Sequence, residues 1–126
     1  MIDKKEIFKS GSISSKELIE LIEQKDQGKD DFVLVDVRED YEYLNQSIDG
    51  TDLLLPTSNF DELVKILEDI KDRSIILYCR TGTRTGQLLE ILKKVGFKNI
   101  AHLSDGITQY LGKTSQSAPI PKKGKI

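Results

Sequence analysis

The sequence predicts an α/β fold in which a central, mostly parallel sheet carries helices on both faces. Three observations predict it. Short apolar runs rich in β-branched residues stand at 32–37 and 75–78, amphipathic segments of helical period alternate with them, and a glycine-containing loop at 79–86 joins the second run to a helix. Runs that are apolar on both sides of the pleat need cover on both faces, and alternation of strand with helix gives parallel neighbours. At 126 residues the chain suits one domain with one core region rather than two domains.

Each element has its own signal. Ser14 followed by Glu17 forms a capping-box pattern, and Leu18, Ile19, Leu21 and Ile22 recur at helical spacing up to a stop near Gly28. Phe32-Val33-Leu34-Val35-Asp36-Val37 has the composition of a strand covered on both faces. Asp49-Gly50 marks a turn, and Leu53-Leu54-Leu55 reads as a short edge strand ended by Pro56. Asn59 and Glu62 predict a second capping box, opening a helix with an apolar face of Phe60, Leu63, Val64, Leu67 and Ile70. Ile75-Ile76-Leu77-Tyr78 is the next buried strand, and Thr83 to Val95 the helix after it, capped by Gly96. Asn99 to Leu103 predicts a last strand and Gly106 to Leu111 a short closing helix. No repeat of solenoid or propeller period is present.

Composition narrows the function classes. A net charge of -2 gives no global attraction to nucleic acid or to acidic lipid, so neither partner is expected, and any anion must be held by a local cluster. No apolar leader opens the chain, and no stretch approaches the roughly 20 apolar residues that span a bilayer, so a cytoplasmic protein is expected. The single cysteine cannot form an intramolecular disulfide, consistent with a reducing compartment. One cysteine and one histidine fall short of the usual metal-ligand set, so no metal is expected.

The chemistry concentrates at Cys79, at the carboxyl end of a predicted parallel strand, where open α/β sheets place their ligands. The backbone N–H groups that follow it and the N-terminus of the next helix stabilise an anion there, and Arg80 and Arg84 add two full charges. Together these favour the thiolate, which is the nucleophile. Gly82 lets the backbone turn tightly and the loop close, while Thr81, Thr83 and Thr85 offer hydroxyl donors to anionic oxygens. The competing reading, a small buried hydrophobe at a strand end, leaves two arginines, three threonines and two glycines at 80–86 without a packing purpose. Asp36 and Arg38 either brace this loop from behind or form an ion pair that serves the strand end alone; the second reading is favoured. Nothing in the sequence pairs His102 with Cys79.

Cys79-Arg80-Thr81-Gly82-Thr83-Arg84 resembles the active loop of the rhodanese family. Upstream, Val35-Asp36-Val37-Arg38-Glu39 with Tyr43 is similar to that family's Asp-Val-Arg-Glu strand end. Downstream, Leu103-Ser104-Asp105-Gly106-Ile107 with Tyr110 is similar to its closing Leu-x-Gly-Gly and aromatic. The resemblance implies a three-layer rhodanese-like domain over 12–112, which leaves an N-terminal extension at 1–11, and composition predicts a flexible basic tail at 113–126. That tail holds four lysines and no acid, leaving -6 on the first 112 residues. Two departures stand out. Gln46-Ser47-Ile48-Asp49-Gly50-Thr51 replaces the common Gly-His-Ile-Pro-Gly-Ala, so the family's histidine is missing, and Asp105 and Tyr110 replace a glycine and a tryptophan.

The resemblance implies sulfur transfer without a cofactor, in two steps. Cys79 takes the outer sulfur of a small anionic donor such as thiosulfate, held by Arg80 and Arg84, and passes it to cyanide, a thiol or a protein acceptor. Two other classes compete. A phosphatase or arsenate reductase on the same fold needs five residues between cysteine and arginine, whereas four separate Cys79 from Arg84 and Thr85 fills the phosphatase arginine position. A non-catalytic binding module would not require the intact basic loop around Cys79.

Overall fold

The computed structural model describes residues 2–123. The Asp3 carboxylate accepts the Lys5 N–H and Gly11 closes the turn in the left-handed region, so Lys4–Ser10 form a first helix, α1, that buries Ile7. It leads into β1 (Ser12–Ile13). Ser14 and Glu17 make both halves of the predicted capping box, opening α2 (Ser15–Asp26). There follow β2 (Val33–Asp36), α3 (Asp40–Asn45), β3 (Ser47–Ile48) and β4 (Leu53–Leu54). A 3-10 turn at Thr57–Asn59 enters α4 (Phe60–Asp69), then come β5 (Ile75–Tyr78), α5 (Thr83–Lys94) and β6 (Ile100–Leu103). A second 3-10 turn at Ile107–Gln109 precedes β7 (Thr114–Ser115).

The main sheet has the order β1-β6-β5-β2-β4, every pair parallel, with β5 in the middle. The pleat divides its side chains between two cores. Val33, Val35, Ile75, Leu77 and Ile100 pack with Leu63 and Leu67 of α4 and Leu88 and Leu92 of α5. Leu34, Ile76, Tyr78, Ala101 and Leu103 pack on the opposite face with Ile7 of α1 and Leu18 and Leu21 of α2. Cys79 continues the parity of β5 onto the α4–α5 side. The expected α/β fold, with helices on both faces, is the one observed.

At three stretches the structure differs from the expectation or adds to it. Asn59 makes no side-chain cap; the 3-10 turn precedes α4 instead, and Phe60 lies largely exposed. The stretch before residue 12 contributes a packed helix, because Gly11 presents its carbonyl to the His102 N–H at 2.9 Å and so ties α1 to the sheet edge. The region expected as a flexible tail runs along the domain as far as it is described: β7 pairs antiparallel with β3, Ser117 N–H donates to Leu44 O at 2.6 Å, the Tyr43 hydroxyl donates to Pro119 O at 3.3 Å, and Lys123 pairs with Glu62 of α4. Backbone hydrogen bonds to β3 and α3 satisfy polar groups that composition alone leaves to water. Residues 124–126 of the predicted tail lie outside the described residues.

Candidate active site

β5 ends at Tyr78 and delivers Cys79 to the mouth of the sheet, buried beneath the loop that enters α5. The Gly82 N–H donates to Cys79 Sγ at 3.2 Å, and the Thr85 hydroxyl lies 3.5 Å from the same sulfur. Gly82 caps α5 with φ +95°, and a Cβ there would stand 2.0 Å from the Ser104 carbonyl oxygen. Only glycine allows that approach. Gly106 is the counterpart on the facing turn: φ is +72°, and a Cβ would stand 2.1 Å from the Arg80 carbonyl oxygen. The turn at 106–108 then ties down the loop, since Ile107 N–H donates to Cys79 O at 3.0 Å and Thr108 N–H to Arg80 O at 3.1 Å. With both carbonyls engaged there, the Gly82 N–H and the positive end of α5 are left to face the sulfur, an arrangement that favours negative charge on it.

The predicted loop residues divide by environment. Arg80 is exposed and, among the described residues, its guanidinium has no hydrogen-bond partner. Thr81 and Thr83 are exposed with their hydroxyls 3.4 Å apart. Arg84, expected to add an unpaired charge, instead forms a bidentate pair with Glu42 of α3, both N···O distances being 2.9 Å. Glu42 is held there by its own helix end, where its carboxylate also accepts the Glu39 N–H at 3.0 Å. The Arg84 hydrogen bonds hold the Glu42 carboxyl at about 2, well below its ordinary range, despite the opposing effect of burial. Thr85 is fully buried, and its hydroxyl also lies 2.7 Å from His102 Nδ1 and 3.3 Å from Gly82 O.

Asp36 and Arg38 form a buried ion pair, Arg38 Nη2 to Asp36 Oδ2 at 2.9 Å, on the face away from Cys79. Arg38 also donates to Gln46 O at 2.6 Å and lies over the Tyr78 ring at 5.6 Å from its centre. Burial pushes the Asp36 carboxyl up while Arg38 opposes that shift. The pair therefore anchors the C-terminal end of α3, whose Glu42 reaches the loop; neither residue touches Cys79 itself. Ser47 stands, buried, at the position of the missing family histidine and pairs with Ser115 of β7; beside it the Ile48 N–H donates to the Tyr78 hydroxyl at 3.2 Å and Thr51 Oγ1 meets that hydroxyl at 2.8 Å.

Two residues of this surround escaped the sequence reading. Glu42 carried no signal beyond an acidic first turn. His102 carried none either, because its place depends on strand register: β5 and β6 run parallel with Leu77 opposite His102, so the imidazole shares the α5 face on which Cys79 follows two residues later.

Residues 14–113 match the rhodanese-like domain model. The chain belongs to the rhodanese-like domain family. Among curated relatives of this rhodanese-like chain, a tRNA uridine(34) hydroxylase from Acinetobacter baumannii is 38% identical over 90 residues, covering 68% of this chain and 28% of that protein. A probable adenylyltransferase/sulfurtransferase MoeZ from Mycobacterium tuberculosis is 32% identical over 108 residues, covering 86% of this chain and 26% of that one. The chain thus spans under a third of the length of these relatives. A crystal structure of a rhodanese-related protein from Thermoplasma volcanium superposes with TM-score 0.67 at 28% identity, covering 82% of this chain and 96% of that one. A thiosulfate sulfurtransferase from Pseudomonas aeruginosa shares the fold, with TM-score 0.70 at 20% identity, over 94% of this chain and 23% of that one. No helix among the described residues is long and apolar enough to cross a membrane.

Proposed function

We propose that this rhodanese-like domain is a sulfurtransferase that carries sulfane sulfur as a persulfide on Cys79. The observation that carries the reading is the seat of the Cys79 sulfur. It lies at the carboxyl end of the central strand, under the Gly82 N–H at 3.2 Å and at the N-terminus of α5, in a loop whose four residues between Cys79 and Arg84 resemble the sulfurtransferase form. In the first step the Cys79 thiolate attacks the outer sulfur of thiosulfate. A bond forms between Sγ and that sulfur, the bond to the inner sulfur breaks, and sulfite leaves with the electron pair. In the second step a cyanide, thiol or protein nucleophile attacks the outer persulfide sulfur, and Cys79 returns as thiolate.

Arg80, exposed at the loop, receives the sulfite end of the donor, and Thr81 and Thr83 donate hydroxyls to its oxygens. Arg84 works differently. Locked to Glu42, it positions the loop and contributes a screened charge rather than a free one. The reaction draws on no cofactor, and a lone cysteine that must stay reduced between turnovers suits the cytoplasm, the compartment proposed for this chain. The test is thiocyanate formation from thiosulfate and cyanide by wild type and by Cys79→Ser. Turnover by wild type alone supports the reading, whereas hydrolysis of an aryl phosphate with no thiocyanate would replace it with the phosphatase class.

A further inference from the structure

Thr85 sits between the chain's only cysteine and its only histidine. Its hydroxyl has one proton and three acceptors within reach: His102 Nδ1 at 2.7 Å, the Gly82 carbonyl at 3.3 Å and the Cys79 sulfur at 3.5 Å. The nitrogen is the nearest. Thr85 and Cys79 are buried, His102 is half-buried, and Thr85 is the imidazole's one hydrogen-bond partner among the described residues. The ring lies alongside α5 at Gly86, where an added Cβ would stand 3.5 Å from His102 Cε1.

We propose that His102 is a positioning residue for Cys79 that acts through Thr85, accepting the thiol proton across the threonine hydroxyl and orienting that hydroxyl toward the sulfur once it is charged. The proposal rests on the sulfurtransferase reading for its purpose but not for its test. With the thiol protonated and the imidazole neutral, S–H donates to Thr85 Oγ1 and Thr85 O–H donates to Nδ1. The relay breaks the S–H bond as a new O–H bond forms, and breaks the old O–H bond as an N–H bond forms on Nδ1. The products are a thiolate and an imidazolium, with no proton gained or lost overall. In that state N–H donates to Thr85 Oγ1 and the hydroxyl donates to the sulfur anion, which stabilises a thiolate or a persulfide alike.

The groups around the ring leave this exchange to the pair. β1 brings Ser12 opposite His102, and β5 brings Leu77. The charged residues on the helices packed against β6 include Lys93, Glu90 and Arg84 of α5 and Lys4, Lys5, Glu6 and Lys9 of α1. Lys93 donates to Phe8 O, and Arg84 is engaged by Glu42. Burial holds the imidazole below its ordinary range, so it is neutral near neutral pH and the charge it takes on in the relay is balanced by the thiolate formed with it.

A coupled pair shares its titration, so removing one member moves the acid limb of the other's reactivity. The test follows alkylation of Cys79 by iodoacetamide, and the ultraviolet absorbance of its thiolate against a Cys79→Ser blank, from acid to alkaline pH in four proteins. His102→Asn keeps an amide near the Nδ1 position but cannot titrate; Thr85→Val removes the hydroxyl at constant shape; Thr85→Ser retains it. At about pH 6 His102→Asn and Thr85→Val should react about tenfold more slowly than wild type, with all three converging by about pH 9 and Thr85→Ser following wild type. A loss equal at every pH, as misfolding would give, or a His102→Asn profile that superimposes on wild type, overturns the proposal. Neither readout uses a sulfur donor, so failure of thiosulfate to load the protein would refute the sulfurtransferase reading and leave this result standing.

Discussion

Gly82 shows how little freedom single positions near Cys79 have. Its φ of +95° and the 2.0 Å that would separate a Cβ from Ser104 O leave backbone against backbone, with no flexible side chain to yield. Gly82→Ala should therefore cost at least about 3 kcal/mol, read as a fall in the urea midpoint, and reduce Cys79 reactivity with it. Glu42 gives a prediction with a sign. Its carboxyl is held at about 2 in the folded chain, below its ordinary value of 4.5, so the Arg84 pair contributes stability fully above about pH 4.5 and loses it as pH falls through about 2. Because Arg84 is about one-third exposed, the contribution is about 1 kcal/mol rather than the whole shift. Urea titrations of wild type and Glu42→Gln should differ by that amount at pH ~7 and converge only as pH falls below about 2. The loop from Cys79 to Thr85 was legible because its residues are neighbours in sequence. Glu42 and His102 were not, since they arrive from 42 and 17 residues away from their partners and depend on strand and helix placement.

Among elements, those with long periodicity or a complete local signal were readable. The Ser14–Glu17 capping box set α2, and the apolar runs set β2 and β5. α1 and α3, at seven and six residues, are too short for a hydrophobic period to declare itself and exist because tertiary contacts hold their ends. The run at 113–123 misled for the opposite reason: its composition is that of a disordered tail, yet β7 gains its hydrogen bonds from β3, itself only two residues long. Each strand needs the other. Truncation after Lys113 should therefore loosen α3, costing about 2 kcal/mol and raising hydrogen exchange of the α3 amides about tenfold or more, while β5 amides keep their protection. Unchanged α3 exchange would show that Arg38 and Glu42 suffice to hold that helix.

At the scale of the whole molecule, the parallel order with β5 in the centre puts a cysteine at the carboxyl edge of the most enclosed strand, and two cores of buried side chains clamp that strand from both faces. Parity of the buried runs made the two-faced cover legible in the sequence, whereas the strand order depended on pairing over long separations. Leu67, fully buried between α4 and the sheet, should cost about 2–5 kcal/mol as Leu67→Ala without changing the chemistry per folded molecule, which separates scaffold from site. The central claim is that this scaffold presents Cys79 as a sulfur carrier. Its most direct test is the intact mass of reduced protein after incubation with thiosulfate, beside Cys79→Ser and followed by cyanide. A gain of one sulfur, about 32 Da, on wild type only, reversed by cyanide, is the predicted result. Wild type that gains no sulfur, or Cys79→Ser that gains it equally, would contradict the account.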